Sequence, residues 1–389
     1  MVAALRMPLP DGSLASYTPA GTPIVPPVGA SRFNRIAYSA AHVVADPLSA
    51  IEPGLGAGID WEATIVYRRY LIGLGLGIAE AMDTAQRGMG LAWPNALELV
   101  RRTVDGTRDL PNALIASGVG TDHLDPTDVR DIDDVVRAYL EQLHAVQHAG
   151  SRVILMASRA LARVARSPDD YHRVYGRVLS ECDHPVILHW LGDMFDPALG
   201  GYWGSADLSR ALDTVIGLIA ANAAKIDGIK ISLLDADREV AARRRLPPGV
   251  RMYTGDDFNY PDLIAGDAHG YSHALLGIFD AIAPTAALAL SALAAGDRAT
   301  FDRLLAPTVP LSRTIFRAPT YAYKTGVVFL AWLNGFQSHF VMLAGAQSLR
   351  PLTYFAQVFR DADAAGLLRD PELAANRMRL LLAIHGVEP

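Results

Sequence analysis

The sequence is nearly free of cysteine, since Cys182 is the only one among 389 residues. A single thiol rules out an intrachain disulfide, a thiolate zinc cluster and an iron–sulfur centre, because each of these needs several cysteines. A chain with so little cysteine is typical of a reducing compartment. We therefore expect a cytoplasmic protein.

Long runs of basic residues are also missing. The chain carries 35 Lys and Arg residues against 41 Asp and Glu residues, and its formal net charge is -6. Because no basic stretch could follow a phosphate backbone, we do not expect nucleic acid as a partner. The most apolar late stretch, residues 326–346, contains Asn334, Gln337 and His339. These polar residues predict a buried helix and no association with a membrane.

Lysine is scarce within the basic set. Only Lys225, Lys230 and Lys324 are lysines, and the remaining basic residues are arginines. Either residue can serve as a surface cation, but an arginine guanidinium stays protonated and cannot attack a carbonyl carbon. Each of the three lysines is therefore a candidate for chemistry that needs a neutral amine.

Apolar residues are abundant, with 51% hydrophobic and 20% charged residues, so the chain can bury a large core. Residues 1–30 are rich in Pro, Gly and Ser and predict an extended N-terminal arm. Residues 31–295 predict a barrel domain, and residues 296–389 predict a C-terminal helical region packed on the barrel.

The barrel prediction depends on eight short apolar runs that alternate with segments of helical period, the clearest helix being residues 131–149. Eight such units over roughly 250 residues predict an α/β fold, a closed (β/α)8 TIM barrel with a C-terminal helical appendage. An open doubly wound sheet is the alternative, but no G-x-G-x-x-G follows the first strand. The predicted strands are residues 34–42, 75–80, 111–117, 151–158, 184–190, 227–232, 250–255 and 268–274.

The residues that close these strands are unusually polar, and in a TIM barrel the active site lies at the carboxyl ends of the strands. The set contains oxygen and nitrogen donors, which leaves a metal-dependent sugar isomerase or epimerase open as an alternative. No spacing within the set forms a metal-binding motif, however, and we predict neither a metal nor another cofactor. The polar strand-end residues are His42, Glu80, Asp83, Asp122, His123, Arg159, His189, Asp193, Lys230, Asp256, Asp257 and His273.

Lys230 stands out because Ile229 and Ile231 flank it within DGIKIS. On an alternating strand, the isoleucines face the helices when the lysine faces the barrel lumen. Burial lowers the pKa of a lysine, which provides the neutral amine for Schiff-base formation. A lysine paired with a neighbouring carboxylate such as Asp256, with a purely structural role, is the alternative.

The segment around Lys230 resembles the dihydrodipicolinate synthase and N-acetylneuraminate lyase family of class I aldolase barrels. That family has a G-[IV]-K strand, a [ST]-G-D-D turn and a G-x-x-S strand, and this chain has GIK, TGDD and GYSH between residues 228 and 273. Upstream, HPVILHWLGDMF is similar to the family's fifth strand, and YAYKTGVVFLAW is similar to its C-terminal helix. The resemblance covers about residues 34–368.

The resemblance implies that Lys230 is the imine-forming lysine, that Lys324 is structural and that the protein is a homodimer or homotetramer. It also shows departures. His189 stands where the family has a proton-relaying tyrosine, and a histidine can also move protons. Met194 stands where the family has an arginine that holds the substrate carboxylate, and Ala81 and Met82 replace its Thr-Thr turn.

A site that loses this carboxylate grip and gains acids is suited to hydroxyl groups, so we predict a polyhydroxylated keto sugar or keto acid as substrate. Arg87 or Arg159 could replace the missing arginine. The predicted function is a Schiff-base-forming lyase, with a non-catalytic small-molecule-binding protein as a further alternative. The predicted catalytic residues are Lys230, His189 and His273, and the predicted substrate-binding residues are Glu80, Asp83, His123, Arg159, Asp193, Asp256 and Asp257.

Overall fold

The protein, described by a computed structural model over residues 2–26 and 31–387, is built on a closed barrel of eight parallel strands. Each strand pairs with its neighbours in the chain, and the last barrel strand pairs with the first. The predicted TIM barrel is therefore confirmed. Its strands are β3 (Ala37–Ser39), β4 (Gly77–Glu80), β5 (Ile115–Val119), β6 (Arg152–Leu155), β7 (Val186–Leu191), β8 (Ile226–Ser232), β9 (Arg251–Thr254) and β10 (His273–Leu276).

Helices cover the outside of the barrel and alternate with its strands, as the sequence pattern predicts. The predicted helix over residues 131–149 shows why its ends lie where they do. The Asp131 side chain accepts hydrogen bonds from two first-turn N–H groups, and Gly150, at φ 83°, follows the last turn. The helices up to the end of the barrel are α1 (Trp61–Gly73), α2 (Trp93–Gly106), α3 (Ile132–His148), α4 (Arg159–Val164), α5 (Pro168–Ser180), α6 (Leu208–Ala221), α7 (Ala236–Arg243), α8 (Tyr260–Ala265), α9 (Ile278–Ala281) and α10 (Ala283–Ala294).

The C-terminal region is entirely helical and packs on one side of the barrel. Its central helix, α13, is buried on every face, since all of its residues from Tyr323 to Leu333 are buried. Within the part of the chain that the structure describes, no helix combines the length and apolar character needed to cross a membrane. The helices of this region are α11 (Arg298–Leu305), α12 (Thr308–Ile315), α13 (Tyr323–Leu333), α14 (Leu352–Ala364) and α15 (Pro371–Ile384).

The predicted N-terminal arm contains more regular structure than its composition indicates. Strands β1 (Leu5–Pro8) and β2 (Leu14–Tyr17) form an antiparallel hairpin that packs on α14 and α15. The Asp363 carboxylate on α14 accepts a hydrogen bond from the Tyr17 hydroxyl at 2.7 Å and from two backbone N–H groups of the arm. Met1 and residues 27–30 of the predicted arm lie outside the described residues.

The interior of the barrel is closed below the carboxyl ends of the strands. Side chains that point inward from the strands form one apolar cluster, which includes Tyr38, Ile154, Ile187 and Tyr253. The Tyr253 ring packs over Gly228, where an added Cβ would lie 2.7 Å from it. The lumen above this layer can therefore hold polar groups at the end where TIM-barrel active sites lie.

Candidate active site

Lys230 points into the lumen from the middle of β8. Ile229 and Ile231 on either side of it pack outward with the helices, as strand alternation predicts. Lys230 lies opposite His189 of β7 in the parallel register, and it is 5% exposed. Among the described residues, its amine has no ion-pair or hydrogen-bond partner, so the pairing with Asp256 that the sequence left open is not present.

Gly255 makes room for the lysine side chain at the end of β9. A Cβ at this position would lie 2.7 Å from Lys230 Cε and 2.2 Å from the Ser232 hydroxyl. Both distances are far shorter than a van der Waals contact, so only glycine fits beside Lys230 without displacing it. The glycine of the TGDD turn is thus the residue that leaves room for the Lys230 side chain of β8.

Burial lowers the pKa of Lys230, and the nearby carboxylates of Asp83 and Asp257 partly oppose this effect. The result is an ammonium group that loses its proton more readily than an exposed lysine does. Because the amine has no fixed partner, its lone pair becomes available to a ligand once that proton leaves.

Asp83 follows β4 in the short 3-10 helix Asp83–Ala85. Burial alone raises the pKa of Asp83, but Lys230, His189 and Lys324, with a hydrogen bond from the Tyr323 hydroxyl, lower it overall. The Tyr323 hydroxyl lies 2.8 Å from Asp83 Oδ2 and 2.6 Å from the Thr84 hydroxyl. Asp83 is therefore a carboxylate held in place beside the Lys230 amine.

His189 and Ser232 form a second polar pair in the lumen, with 3.2 Å between His189 Nε2 and the Ser232 hydroxyl. Burial, and then the charge of Lys230, lower the pKa of His189 well below its ordinary value. A neutral imidazole at this position can accept a proton from a bound molecule or pass one to it through Ser232.

The two aspartates of the TGDD turn have different surroundings. Asp257 Oδ1 accepts the Ile278 N–H at 2.8 Å, and burial raises the pKa of Asp257 to about 7. The Asp256 carboxylate instead accepts the backbone N–H groups of Phe258 and Asn259 and the Asn259 side-chain amide. The Asp257 carboxyl group therefore raises the pKa of Lys230, whereas the Asp256 carboxylate stabilises the turn to which it belongs through hydrogen bonds.

A cavity of about 230 Å³ opens at this end of the barrel. Asp83 and His189 line it, and Arg159 and Asp196 form a 2.5 Å ion pair in its wall. Arg87 also lines the cavity, but its guanidinium is occupied by Asp122, Gln142 and two backbone carbonyls. Of the two arginines that the sequence offered as replacements, only Arg159 has unused donors.

Two of the predicted site residues lie elsewhere. Glu80 faces outward from β4, where Arg68 Nε lies 2.8 Å and the Thr103 hydroxyl 2.6 Å from its carboxylate, because the residues of a strand alternate between faces. His273 begins β10 instead of closing it, so it lies at the opposite end of the barrel. There its Nδ1 accepts the Ile36 N–H, and burial lowers the pKa of His273 to about 4.

His123 and Asp193 lie near the cavity but do not line it. His123 Nδ1 accepts the Gln142 amide at 2.8 Å, and Asp193 is exposed in the turn after β7. Asp196 of that same turn lines the cavity, and the sequence prediction missed it. It also missed Tyr323 and Ser232, although Tyr323 directly precedes a noted lysine and Ser232 has the same strand parity as Lys230.

Among residues 2–26 and 31–387, no three His, Cys, Asp or Glu side chains are grouped so that they could hold a metal ion. The donors that the sequence offered for such a site are separated in the fold. Glu80 pairs with Arg68, Asp122 pairs with Arg87, and His273 lies at the other end of the barrel.

Comparison with known families matches residues 5–387 to the model described as "Protein of unknown function (DUF993)". No curated protein matches the chain by sequence.

Crystal structures of the dihydrodipicolinate synthase family share the fold. The Bacillus anthracis synthase DapA-2 is 17% identical, with a TM-score of 0.62 over 84% of this chain and 97% of its own. The Acinetobacter baumannii synthase complexed with pyruvate is 16% identical, with a TM-score of 0.63 over 86% and 99%. YagE of E. coli K12, a prophage protein of that family, also in complex with pyruvate, is 14% identical, with a TM-score of 0.64 over 91% and 99%. The predicted resemblance is thus confirmed as a likeness of fold.

Proposed function

Because this chain belongs to the DUF993 family and has the fold of the dihydrodipicolinate synthases, we propose that it is a Schiff-base-forming lyase that acts through Lys230. One observation carries the proposal. A buried amine without an ion-pair or hydrogen-bond partner among the described residues points into the lumen at the cavity end of the barrel. A lysine with a structural role would be expected to have a carboxylate or carbonyl partner there.

The reaction begins when the neutral Lys230 amine attacks the substrate carbonyl carbon. Loss of water from the adduct gives an iminium, whose positive charge the carboxylates of Asp83 and Asp257 stabilise. In a retro-aldol cleavage, the iminium accepts the electron pair of the bond between its neighbouring carbon and the next carbon, and the hydroxyl group on that next carbon loses its proton and becomes a carbonyl. In a dehydration, the neighbouring carbon loses a proton, its C–H electron pair forms an enamine, and the hydroxyl group on the next carbon leaves as water.

His189 supplies the proton transfers in this proposal. Its neutral imidazole takes up the proton that the substrate loses, and Ser232 at 3.2 Å from Nε2 provides a hydroxyl relay. Return of a proton to the enamine and hydrolysis of the resulting iminium by water release the product and restore the Lys230 amine. A substrate with several hydroxyl groups, a keto sugar or keto acid, fits the polar donors and acceptors of the cavity wall.

The experiment that tests the proposal is borohydride reduction in the presence of a panel of keto acids and keto sugars, with peptide mass spectrometry. We expect a substrate-dependent adduct on the peptide that contains Lys230 and its loss in Lys230→Ala. Lys225→Ala is the matched control, because Lys225 lies outside the barrel and donates to the Cys182 carbonyl. A compound that is bound and turned over while Lys230 stays unmodified would overturn the proposal.

A further inference from the structure

Lys324 is a second buried amine at the same end of the barrel. It is 3% exposed, and the only hydrogen-bond partner of its Nζ among the described residues is the Met89 thioether, at 3.0 Å. A thioether is a weak acceptor and cannot offset the loss of hydration of an ammonium group. The resemblance implies a structural role for Lys324, but no acid among the described residues forms an ion pair with its amine.

Arg159 brings a second cation to the same loop. Its Nε donates to Asp196, while its two terminal nitrogens have no hydrogen-bond partner among the described residues. The Nη1 atom lies 4.0 Å from the Cβ that a side chain at Gly88 would carry, and Gly88 directly precedes Met89. Arg159 and Lys324 thus approach neighbouring residues of one loop, and Gly88 and Arg159 both line the cavity.

The nearby carboxylates form an ion pair with Arg159 but none with Lys324 among the described residues. Asp83 accepts a hydrogen bond from Tyr323 and lies beyond ion-pair distance of Lys324, and Asp122 is held by Arg87. Only Asp196 pairs with Arg159, through a single N–H group. Lys324, which adjoins the cavity through Met89 and does not itself line it, and the two terminal nitrogens of Arg159 therefore have no acid partner among the described residues.

We infer that Lys324 and Arg159 form a subsite for an anionic group, so that the substrate is a carbonyl compound with a carboxylate or phosphate away from the carbon that reacts with Lys230. This inference rests on the proposed function and narrows its substrate class. The subsite would replace the carboxylate grip that Met194 cannot provide. A bound anion would pair the buried amine, and the cost of burying Lys324 would then be recovered as binding free energy.

The state of Lys324 supports this assignment. The pKa of Lys324 is lowered to about 8, chiefly by burial; the Asp83 carboxylate opposes this shift and the Arg159 guanidinium adds to it. A bound anion stabilises the ammonium form and raises this pKa again, so anion binding near pH 8 should be accompanied by proton uptake.

The test compares two pairs of carbonyl probes that differ in one group. Dihydroxyacetone phosphate and dihydroxyacetone differ in phosphate, and 4-oxopentanoate and 2-pentanone differ in carboxylate. For each probe, the concentration that gives half-maximal borohydride trapping at Lys230 is measured. We expect this concentration to be at least about tenfold lower for an anionic probe, as one or two charge-assisted hydrogen bonds would give. If the preference occurs in one pair and not in the other, that pair identifies the anion as phosphate or as carboxylate.

Lys324→Met and Arg159→Gln should reduce this preference to less than about threefold. Lys225→Met and Arg177→Gln are the matched controls and should keep it, since Lys225 lies outside the barrel and Arg177 forms an exposed pair with Asp133 on the outer helices. Lys324→Met should fold, because methionine has a similar length and lies here among buried apolar residues. Circular dichroism checks the fold.

Binding of inorganic phosphate and of acetate, followed by calorimetry, separates failure of this inference from failure of the proposed function. If no probe labels Lys230, saturable binding of either anion that Lys324→Met abolishes still supports the anion subsite, and the absence of binding by both anions overturns the subsite. If the probes label Lys230 but the anionic and neutral members of both pairs require equal concentrations, the subsite is wrong and the Schiff-base proposal stands. A preference that survives in both variants also overturns the subsite.

Discussion

At the scale of single residues, the buried charged groups are of two kinds. Some have all of their hydrogen-bonding positions filled by protein groups, and others do not. The Glu80 carboxylate accepts hydrogen bonds from Arg68, Thr103 and the Ala81 N–H, so nothing remains for a ligand. Within residues 2–26 and 31–387, the Lys230 amine and most donors of Lys324 have no hydrogen-bond partner. A buried charge without a partner is costly to fold around, and such groups are found where a ligand supplies the missing partner.

The buried carboxyl group of Glu239 should make the stability of the protein depend on pH. Its carboxyl group is buried on α7, accepts one hydrogen bond from Ser272 at 2.7 Å, and has a second oxygen without a partner among the described residues. Burial raises the pKa of Glu239 from 4.5 to about 8. The folded protein therefore holds a proton that the unfolded chain releases, and the free energy of unfolding should fall as pH rises from about 4.5 to about 8.

Glu239→Gln should flatten this pH dependence by up to about 1.4 kcal/mol per pH unit, because the glutamine amide stays neutral throughout. Urea unfolding at several pH values between 5 and 8 measures the slope. Glu52→Gln, at an exposed position in the loop before α1, is the control and should leave the slope unchanged. Equal slopes for wild type and Glu239→Gln would contradict the assigned protonation state.

At the scale of secondary-structure elements, the position of a residue along its strand decides which side of the barrel it faces. Because side chains alternate between the two faces of a strand, the Lys230 side chain points into the barrel, as the sequence predicts. The same alternation points the Glu80 side chain outward, toward α1 and α2. The starting point of a strand matters as much. The sequence pattern predicts residues 268–274 as the last strand, but β10 starts at His273, so this histidine lies at the opposite end of the barrel from the cavity.

The position of Lys230 on β8 should depend on Gly255 at the end of β9. Gly255→Ala should displace the Lys230 side chain, because the new Cβ would lie 2.7 Å from Lys230 Cε and also 2.7 Å from the Ile231 carbonyl oxygen. We expect loss of borohydride trapping at Lys230 and a lower melting temperature. Gly176→Ala is the control, since nothing lies within 4 Å of its Cβ in α5. That change should leave trapping intact and stabilise the helix by up to about 1 kcal/mol. Normal trapping in Gly255→Ala would show that Lys230 does not depend on this space.

At the scale of the whole molecule, the C-terminal helices complete the cavity end of the barrel. Helix α13 brings Tyr323 to Asp83 and Lys324 to Met89, which are more than two hundred residues earlier in the chain. The N-terminal hairpin in turn packs on α14 and α15, and Leu5 and Met7 belong to the same apolar core as α13. The two ends of the described chain therefore support the helix that contributes to the site.

The packing of the N-terminal hairpin on the C-terminal helices should stabilise the whole molecule through Met7. Met7→Ala should lower the free energy of unfolding by about 2–5 kcal/mol, because Met7 is 0% exposed and its removal leaves a cavity between the hairpin and the C-terminal helices. Leu14→Ala on the other strand of the hairpin is the control and should cost less than about 1 kcal/mol, since Leu14 is 39% exposed. Urea unfolding measures both changes. Similar losses in the two variants would show that the hairpin packs loosely.

Local sequence pattern is enough to predict the barrel and the orientation of Lys230. Hydrophobic periodicity records which face of each element is buried, so the eight strands and the helix over residues 131–149 could be predicted from local pattern alone. Alternation around Lys230 is equally local. The sequence also predicted a neighbouring carboxylate for this lysine but named Asp256, whereas the carboxylate of the TGDD turn that acts on Lys230 is Asp257.

Which polar groups meet depends on how distant elements pack together. Whether Glu80 has a partner depends on Arg68 and Thr103, which other elements bring to it, and the unpaired state of Lys324 depends on a loop far away in the chain. The residues that line the cavity with Asp83, among them Arg159 and Asp196, come from different strand ends. Hydrogen bonds and ion pairs act over a few ångströms in space, so their partners are fixed by packing and leave no periodic trace in the sequence.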